Sequence, residues 1–395
     1  MNKVHFLIAA LMLATPSLSA TTVVVGSCRP KYASYITISQ ALSSVPAGST
    51  VLVCPGTYPE QITISQAVKL EGVIDGNSGR AVITVPSSSV GGPPGLHVNV
   101  TSQFSQTFLG AALPFAAQVL VESPAQVIIS DITVDGTGGD MGCASSNIWL
   151  AGIFYNSSSS LTLSRIATRN QLDEGCGNGI WIEGSTAPSQ VINVANSSVH
   201  DFDYAGILAG TSGLDASLAV AIAGNFVFHG RGSSPSYGSA GIATDFVEGA
   251  VTSNIVTGGD TGIFNLSSAP LMVIRNNSVA DASTGIATGY DGGSIQHNEI
   301  SNTSTAVDLQ SNDASAANNL IKNANVAVEF NCDTDSVAGN NINDAVIGLD
   351  NAPSGFVSTD HIFSVDTIVT NCGLSPVKRR IPPLRLSGPR PSRVN

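Results

Sequence analysis

A pair of markers recurs in phase along the second half of the chain. An Asn followed two residues later by Ile or Val stands at Asn254, Asn277, Asn298, Asn319 and Asn340, at spacings of 23, 21, 21 and 21. Eight residues after each Asn comes a small residue followed by an aliphatic one: Gly262-Ile263, Gly285-Ile286, Ala306-Val307, Ala327-Val328 and Gly348-Leu349. A period of 21 is too short for a helix pair or a propeller blade. Each unit holds short alternating stretches such as Val326-Ala327-Val328-Glu329-Phe330, the pattern of strands with one face inward. Such strands bury too little alone. Wound as a coil, each pairs in parallel with its copy ~4.8 Å away. Ile and Val columns then fill a dry core, and Asn columns hydrogen-bond along the stack at a tight turn where Asn tolerates the left-handed conformation. The expected fold is all-β: a single-stranded right-handed parallel β-helix, its hand following the rule for parallel crossovers.

Upstream the repeat is looser. Val127 to Ile132, Leu161 to Ile166 and Val191 to Val194 read as earlier coils, with partner marks at Gly152-Ile153, Gly179-Ile180 and Gly206-Ile207. Extra residues fall between the same two markers in three coils: Gly136 to Asn147, Asn170 to Asn178, and His229 to Ser239. These insertions should project from one side, where solenoids usually bind. The stretch Pro86 to Ser123 fits no coil and reads as a long excursion.

Charge sets further limits. The chain has 28 acids against 16 Lys and Arg. Lys3 and six cations after residue 375 account for seven of the 16, so residues 21 to 375 keep nine. Nucleic acid is excluded as a partner, because cations must replace its condensed counterions. Residues 1–19 read as a signal peptide, with Lys3, an apolar run from Phe6 to Ala14 and small residues at Ser17-Leu18-Ser19. No later run reaches the ~20 residues of a membrane span. The domain division is a leader at 1–19, a β-helix domain at 20–375 and a basic, Pro-rich, disordered tail at 376–395. A secreted or periplasmic monomer is expected. Export makes the six cysteines disulfide formers. Six allow 15 pairings; sequential pairing, Cys28-Cys54, Cys143-Cys176 and Cys332-Cys372, is favoured because each pair brackets one or two turns of the repeat.

The segments Ile36 to Leu42, Val45 to Val51, Pro55 to Glu60 and Val68 to Gly72 resemble the opening coils of the pectin lyase-like superfamily, notably pectinesterases. The downstream repeat is similar to the coils of the same superfamily. The resemblance covers about residues 32–350. It implies a right-handed β-helix whose open end is capped by a short helix, here Ser39 to Ser44. Gly56, Tyr58 and Glu60 match the Gly-x-Tyr-x-Glu of pectinesterases. Asp245 to Gly249 resembles their aspartate segment, but their Arg-Pro-Trp signature is absent. So are the paired aspartates and Gly-His-Gly of polygalacturonases.

Two chemistries fit the remaining residues. Glycoside hydrolysis needs two carboxylates; Asp173, Glu174, Asp201 and Asp203 are the candidates, with Asp135 and Asp140 one coil earlier. Asp201 and Asp203 alternate with Phe202, so an extended backbone would turn both to one face. β-Elimination from a uronate needs a base and a cation. Arg169, His200 and His229 fall at corresponding positions of successive coils within one or two residues, and Arg231 follows. Trp181 and Tyr204 are candidate sugar platforms, with Trp149 and Tyr155 beside them. The competing reading makes the carboxylates turn or capping groups and the tryptophans core. No metal site or cofactor is expected; Ca²⁺ held by Asp would offset the acidic field for a uronate, but no calcium-loop motif is present. The sequence points to a secreted protein engaging an extracellular polysaccharide, with cleavage as a hydrolase or lyase. The alternative is a non-catalytic, adhesin-like surface solenoid.

Overall fold

The computed structural model describes residues 19–76, 79–87, 95–104, 112–185, 190–211, 218–229, 239–266, 272–289, 293–310, 313–332, 335–353, 356 and 358–372. The expected leader, the basic tail and Arg231 lie outside these residues. Strands too short to stand alone stack coil upon coil into a 13-stranded and a 21-stranded sheet. The larger sheet holds two of the three faces of the solenoid. A typical coil runs from the first face, such as Leu161–Ser164, to the second, Ala167–Gln171, and then to the third, Gly177–Gly184. Equivalent strands pair in parallel: Leu161 with Ile192, Thr168 with Val199, Ile180 with Ile207. One column of aliphatic side chains from each face fills the interior, including Leu163, Val199 and Ile207, all 0% exposed.

The open N-terminal end is closed by the helix Ile38–Ser44, which buries Ile38, Ala41 and Leu42. Thr37 caps it by accepting from Gln40 N, and Glu60 accepts from Ile38 N at 2.8 Å and Ser39 N at 2.9 Å. A carboxylate on these first amides also suits the helix dipole. Glu60 of the Gly-x-Tyr-x-Glu motif is thus a capping residue here.

The Asn markers form a buried ladder at the corner between the first and second faces. Asn225, Asn254, Asn277, Asn298, Asn319 and Asn340 are each at most 2% exposed. Each Nδ2 donates to Oδ1 of the next at 2.9–3.0 Å, and Asp360 ends the series. The left-handed conformation belongs to the residue before each rung, namely Gly224, Ser253, Asn276, His297, Asn318 and Gly339. That corrects the expectation that the marker Asn itself takes it. The turn is made one position earlier, which aims the Asn side chain inward along the stack.

The three disulfides pair Cys28 with Cys54, Cys143 with Cys176 and Cys332 with Cys372, as the spacing suggested. The excursion is only partly irregular. Leu113–Val121 is a strand of the third face, paired with Trp149–Ser157. Its alternation is masked because both of its sides are covered. Residues 95–104 run back over that face as a strap, with Val100–Ser102 antiparallel to residues 113–115. No helix among the described residues is long and apolar enough to cross a membrane.

Candidate functional site

The second face carries the expected Arg-His pair. Asp135, Arg169 and His200 occupy one outward column, and Phe228 comes next in register. His229 lies one residue further on, at the corner, with its ring edge-on to Phe202 at 5.1 Å. The column is therefore Arg-His-Phe, not Arg-His-His, because the coil reaches its register at Phe228. Arg169 Nε donates to Asp135 Oδ2 at 2.8 Å. Burial opposes ionisation of Asp135, but hydrogen bonds from Asn170, Thr137 and Arg169 outweigh it and hold the carboxyl below its ordinary range. His200 Nδ1 lies 2.7 Å from Asp201 Oδ2.

Asp201 and Asp203 do not share a face. Asp201 has φ 56°, so the backbone turns where an extended strand was expected. Asp203 points into the insertions, where Oδ2 accepts from Asp173 N and from Gly175 N, the latter at 3.1 Å. Asp173 repeats this one coil earlier: Oδ1 accepts from Met141 N at 3.0 Å and Cys143 N at 3.1 Å. Asp260 does the same for Ser239 N at 2.8 Å. Each carboxylate holds amides that the preceding insertion cannot pair within itself. Asp173 also meets Asp140; burial first, then that neighbour, pushes Asp173 up to about 7. Glu174 is exposed at φ 49° on the loop beside them.

The aromatic candidates lie elsewhere. Trp181 and Tyr204 are 0% and 2% exposed. With Phe104, Phe115, Trp149 and Phe154 they form a second apolar cluster on the outside of the third face. Phe154, Trp181 and Leu208 are successive rungs of its floor. Phe115 and Trp181 are 4.7 Å apart, Trp149 and Tyr204 5.0 Å. They are not open platforms: all are buried, and Phe104 of the strap lies against Trp181 at 5.9 Å. Two side-chain amides tie the strap down: Gln61 bonds His97 N and O, and Asn99 bonds Ala117 N and O.

Beneath the strap stand two carboxylates absent from the sequence-derived site. Glu183, Gly210 and Asp245 occupy one outward column of successive coils. Glu183 Oε1 accepts from Gln103 N and Phe104 N, both at 2.8 Å. The Phe104 ring fills the space above Gly210, where a Cβ would come within 2.3 Å of it. Burial raises Glu183 above its ordinary value and pushes Asp245 up to about 8. Burial, with Asp245 nearby, also raises Tyr204. Glu183 Oε2, Asp245 Oδ1, Tyr204 OH and Trp181 Nε1 are buried and have no hydrogen-bond partner among the described residues. Each such atom costs about 1–3 kcal/mol when left unpaired, and four share this site. Asp245 was visible as part of a motif resemblance. Glu183 had no sequence signal, since only the register puts it two coils from Asp245.

No protein-family model matches the chain. No curated protein sequence matches it either. Among solved structures it is similar to the A-module of the mannuronan C-5 epimerase AlgE4 of Azotobacter vinelandii. The TM-score is 0.57 at 16% identity, covering 85% of this chain and 91% of that one. The A-module of AlgE6 from the same organism gives 0.44 at 17% identity, over 85% of this chain and 94% of that one. DFA-IIIase of Arthrobacter chlorophenolicus A6 without its lid gives 0.48 at 12% identity, over 82% and 84%. Identity at this level speaks for the backbone alone, since one fold hosts many chemistries. Stacked parallel faces, the capped opening and the AlgE4 likeness agree: the chain folds as a pectin lyase-like, right-handed parallel β-helix.

Proposed function

We propose that this chain is a secreted or periplasmic protein that engages a polysaccharide and hydrolyses it in the groove beneath the strap. The observation that carries this is the Glu183–Gly210–Asp245 column above an aromatic floor. Two strand spacings of ~4.8 Å set the two Cα atoms roughly 10 Å apart. That suits the wide carboxyl gap of ~6.5–9.5 Å in inverting glycosidases, which leaves room for a water, better than the ~5 Å gap of retaining ones. Asp245 is pushed up to about 8 by burial; a bound sugar ring that keeps it from water in place of the strap would preserve its proton at neutral pH and make it the general acid. Glu183, released from the strap and solvated, ionises and activates the water on the opposite side of the sugar. The strap has to lift for a glycan to enter.

β-Elimination has less support. Arg169 and His200 are neighbours, but Asp135 and Asp201 already hold them. Asp173 and Asp203 are engaged by loop amides, which also favours a positioning role for them. The same loop-bracing bonds support the second reading, a non-catalytic solenoid. The three disulfides support export.

The test is turnover on a panel of neutral and acidic polysaccharides, with and without Ca²⁺. New reducing ends and unsaturated-uronate absorbance are followed together. Reducing ends without unsaturation, lost in Asp245→Asn and Glu183→Gln, are expected. Unsaturation would replace the proposal with a lyase centred on Arg169 and His200. Silence across the panel from folded protein would leave the structural solenoid.

A further inference from the structure

Resting on that reading of the groove, we infer that its ligand is a neutral glycan and not a polyuronate. The inference starts from where the cations are. Residues 21 to 375 contain nine Lys and Arg. Eight are described, and all eight lie away from the third face. Arg29 lies 4.0 Å from Asp75, Lys69 2.6 Å from Glu71 and Lys322 2.9 Å from Glu299. Arg165 grips Asp131 through two bonds, and Arg169 holds Asp135. Lys31 sits over Tyr32, Arg80 donates to Arg165 O, and Arg275 is exposed on the first face. The ninth, Arg231, lies outside the described residues.

A uronate in the groove would therefore bring its carboxylate to the ionised Glu183 with no Lys or Arg among the described residues to offset the charge. Like charges brought that close repel, the more so where the site sheds water. In a body with 28 acids and nine cations between residues 21 and 375, a polyanion gains nothing elsewhere to offset that repulsion.

The uncharged groups point the same way. Tyr204 OH and Trp181 Nε1 are buried, unpartnered and part of the floor. With Asp245 Oδ1 and Glu183 Oε2 they offer both donors and acceptors, which hydroxyl groups satisfy in either sense. The floor of Phe154, Trp181 and Leu208 is apolar, and its Phe154 and Trp181 rings lie within 16° of parallel, a surface that suits the C–H face of a sugar ring. The strap marks the ligand's place: a six-membered ring, Phe104, lies over Gly210, and two N–H donors, Gln103 and Phe104, satisfy Glu183.

The chain has two tryptophans, Trp149 and Trp181, and both belong to this cluster. Their emission therefore reports occupancy of the groove without any assumption about turnover. The full chain and Phe104→Ala are titrated at low salt with neutral gluco-, xylo- and fructo-oligosaccharides and with oligouronates of equal length. Phe104→Leu serves if the Ala variant does not fold. At least one neutral series should shift the emission, about 5-fold more tightly in the Phe104 variant, while oligouronates leave it unchanged. Oligouronate binding that Glu183→Gln or Arg231→Ala alters would overturn the neutral class and leave the groove standing. No response to either series, in either protein, would overturn the inference and the groove reading together.

Discussion

Asp245 shows how much a single buried group decides. Its side chain is 3% exposed, one oxygen is unpartnered, and burial pushes it up to about 8. A folded-state value above the unfolded one means that ionisation opposes folding. The cost is absent below about pH 4, grows as pH rises and is complete above about pH 8. Asp245→Asn should therefore stabilise the protein at pH 8.5 by ~2–4 kcal/mol and change little at pH 4; urea unfolding at the two pH values checks this. The same substitution should lower any glycosidase turnover at least ~10³-fold, a gain in stability against a loss of function. Asn298 is the opposite case. Its Oδ1 accepts from Asn277 N and Nδ2, and its Nδ2 donates to Ile274 O and Asn319 Oδ1. Asn298→Ala leaves these buried groups unpaired and should cost about 3 kcal/mol, read as a lower urea midpoint.

Among the elements, the strap is the one that hides the candidate chemistry. It is held by polar ties from Gln61, Asn99 and Glu183 and by the apolar side chains Leu96, Val100 and Phe104. Gly210→Ala would drive a methyl into that ring. The expected result is displacement of Phe104 and at least a twofold rise in acrylamide quenching of the two tryptophans, with little change in the far-ultraviolet spectrum. Unchanged quenching would mean that the ring moves aside without opening the groove. The insertions behave differently. Asp173 and Asp203 each brace the loop of the coil before, and Asp260 holds Ser239 at the end of the third insertion. Asp173 and Asp203 looked catalytic in the sequence because a loop acid and a catalytic acid are written with the same residue. The difference lies in what they touch.

At the scale of the whole molecule, the solenoid stacks like with like, and it does so with charge as well. Asp308, Glu329 and Asp350 follow one another on the outside of the third face. Burial, then the neighbouring Glu329, raises Asp308 to about 7. With Asp173 near 7 and Asp245 near 8, at least three carboxyls take up protons on folding. By the same sign rule, thermal stability should fall as pH rises from about 5 to 8.5, and a scan of melting temperature against pH checks it. A flat or rising profile would mean that these carboxyls are ionised in the folded state at no cost.

The repeat by itself determined the fold. A 21-residue period with aliphatic columns admits one economical solution, and the disulfide pairs follow from its coils. The short-range pattern also located the side where the insertions gather and placed Arg169 beside His200. What the sequence left open depended on register and cover. Whether residue 228 or 229 continues the column is a one-residue matter, yet it exchanges an outward Phe for a corner His. Glu183 and Asp245 are 62 residues apart in the chain and meet only because the intervening coils stack them. Trp181 became core because Phe104 of the strap comes back over it from 77 residues upstream, and Tyr204 because it packs on Trp149 of the same cluster. Periodicity is a property of neighbours along the chain, so it dictates the coil. A site is a property of neighbours across coils, so only the folded stack decides it.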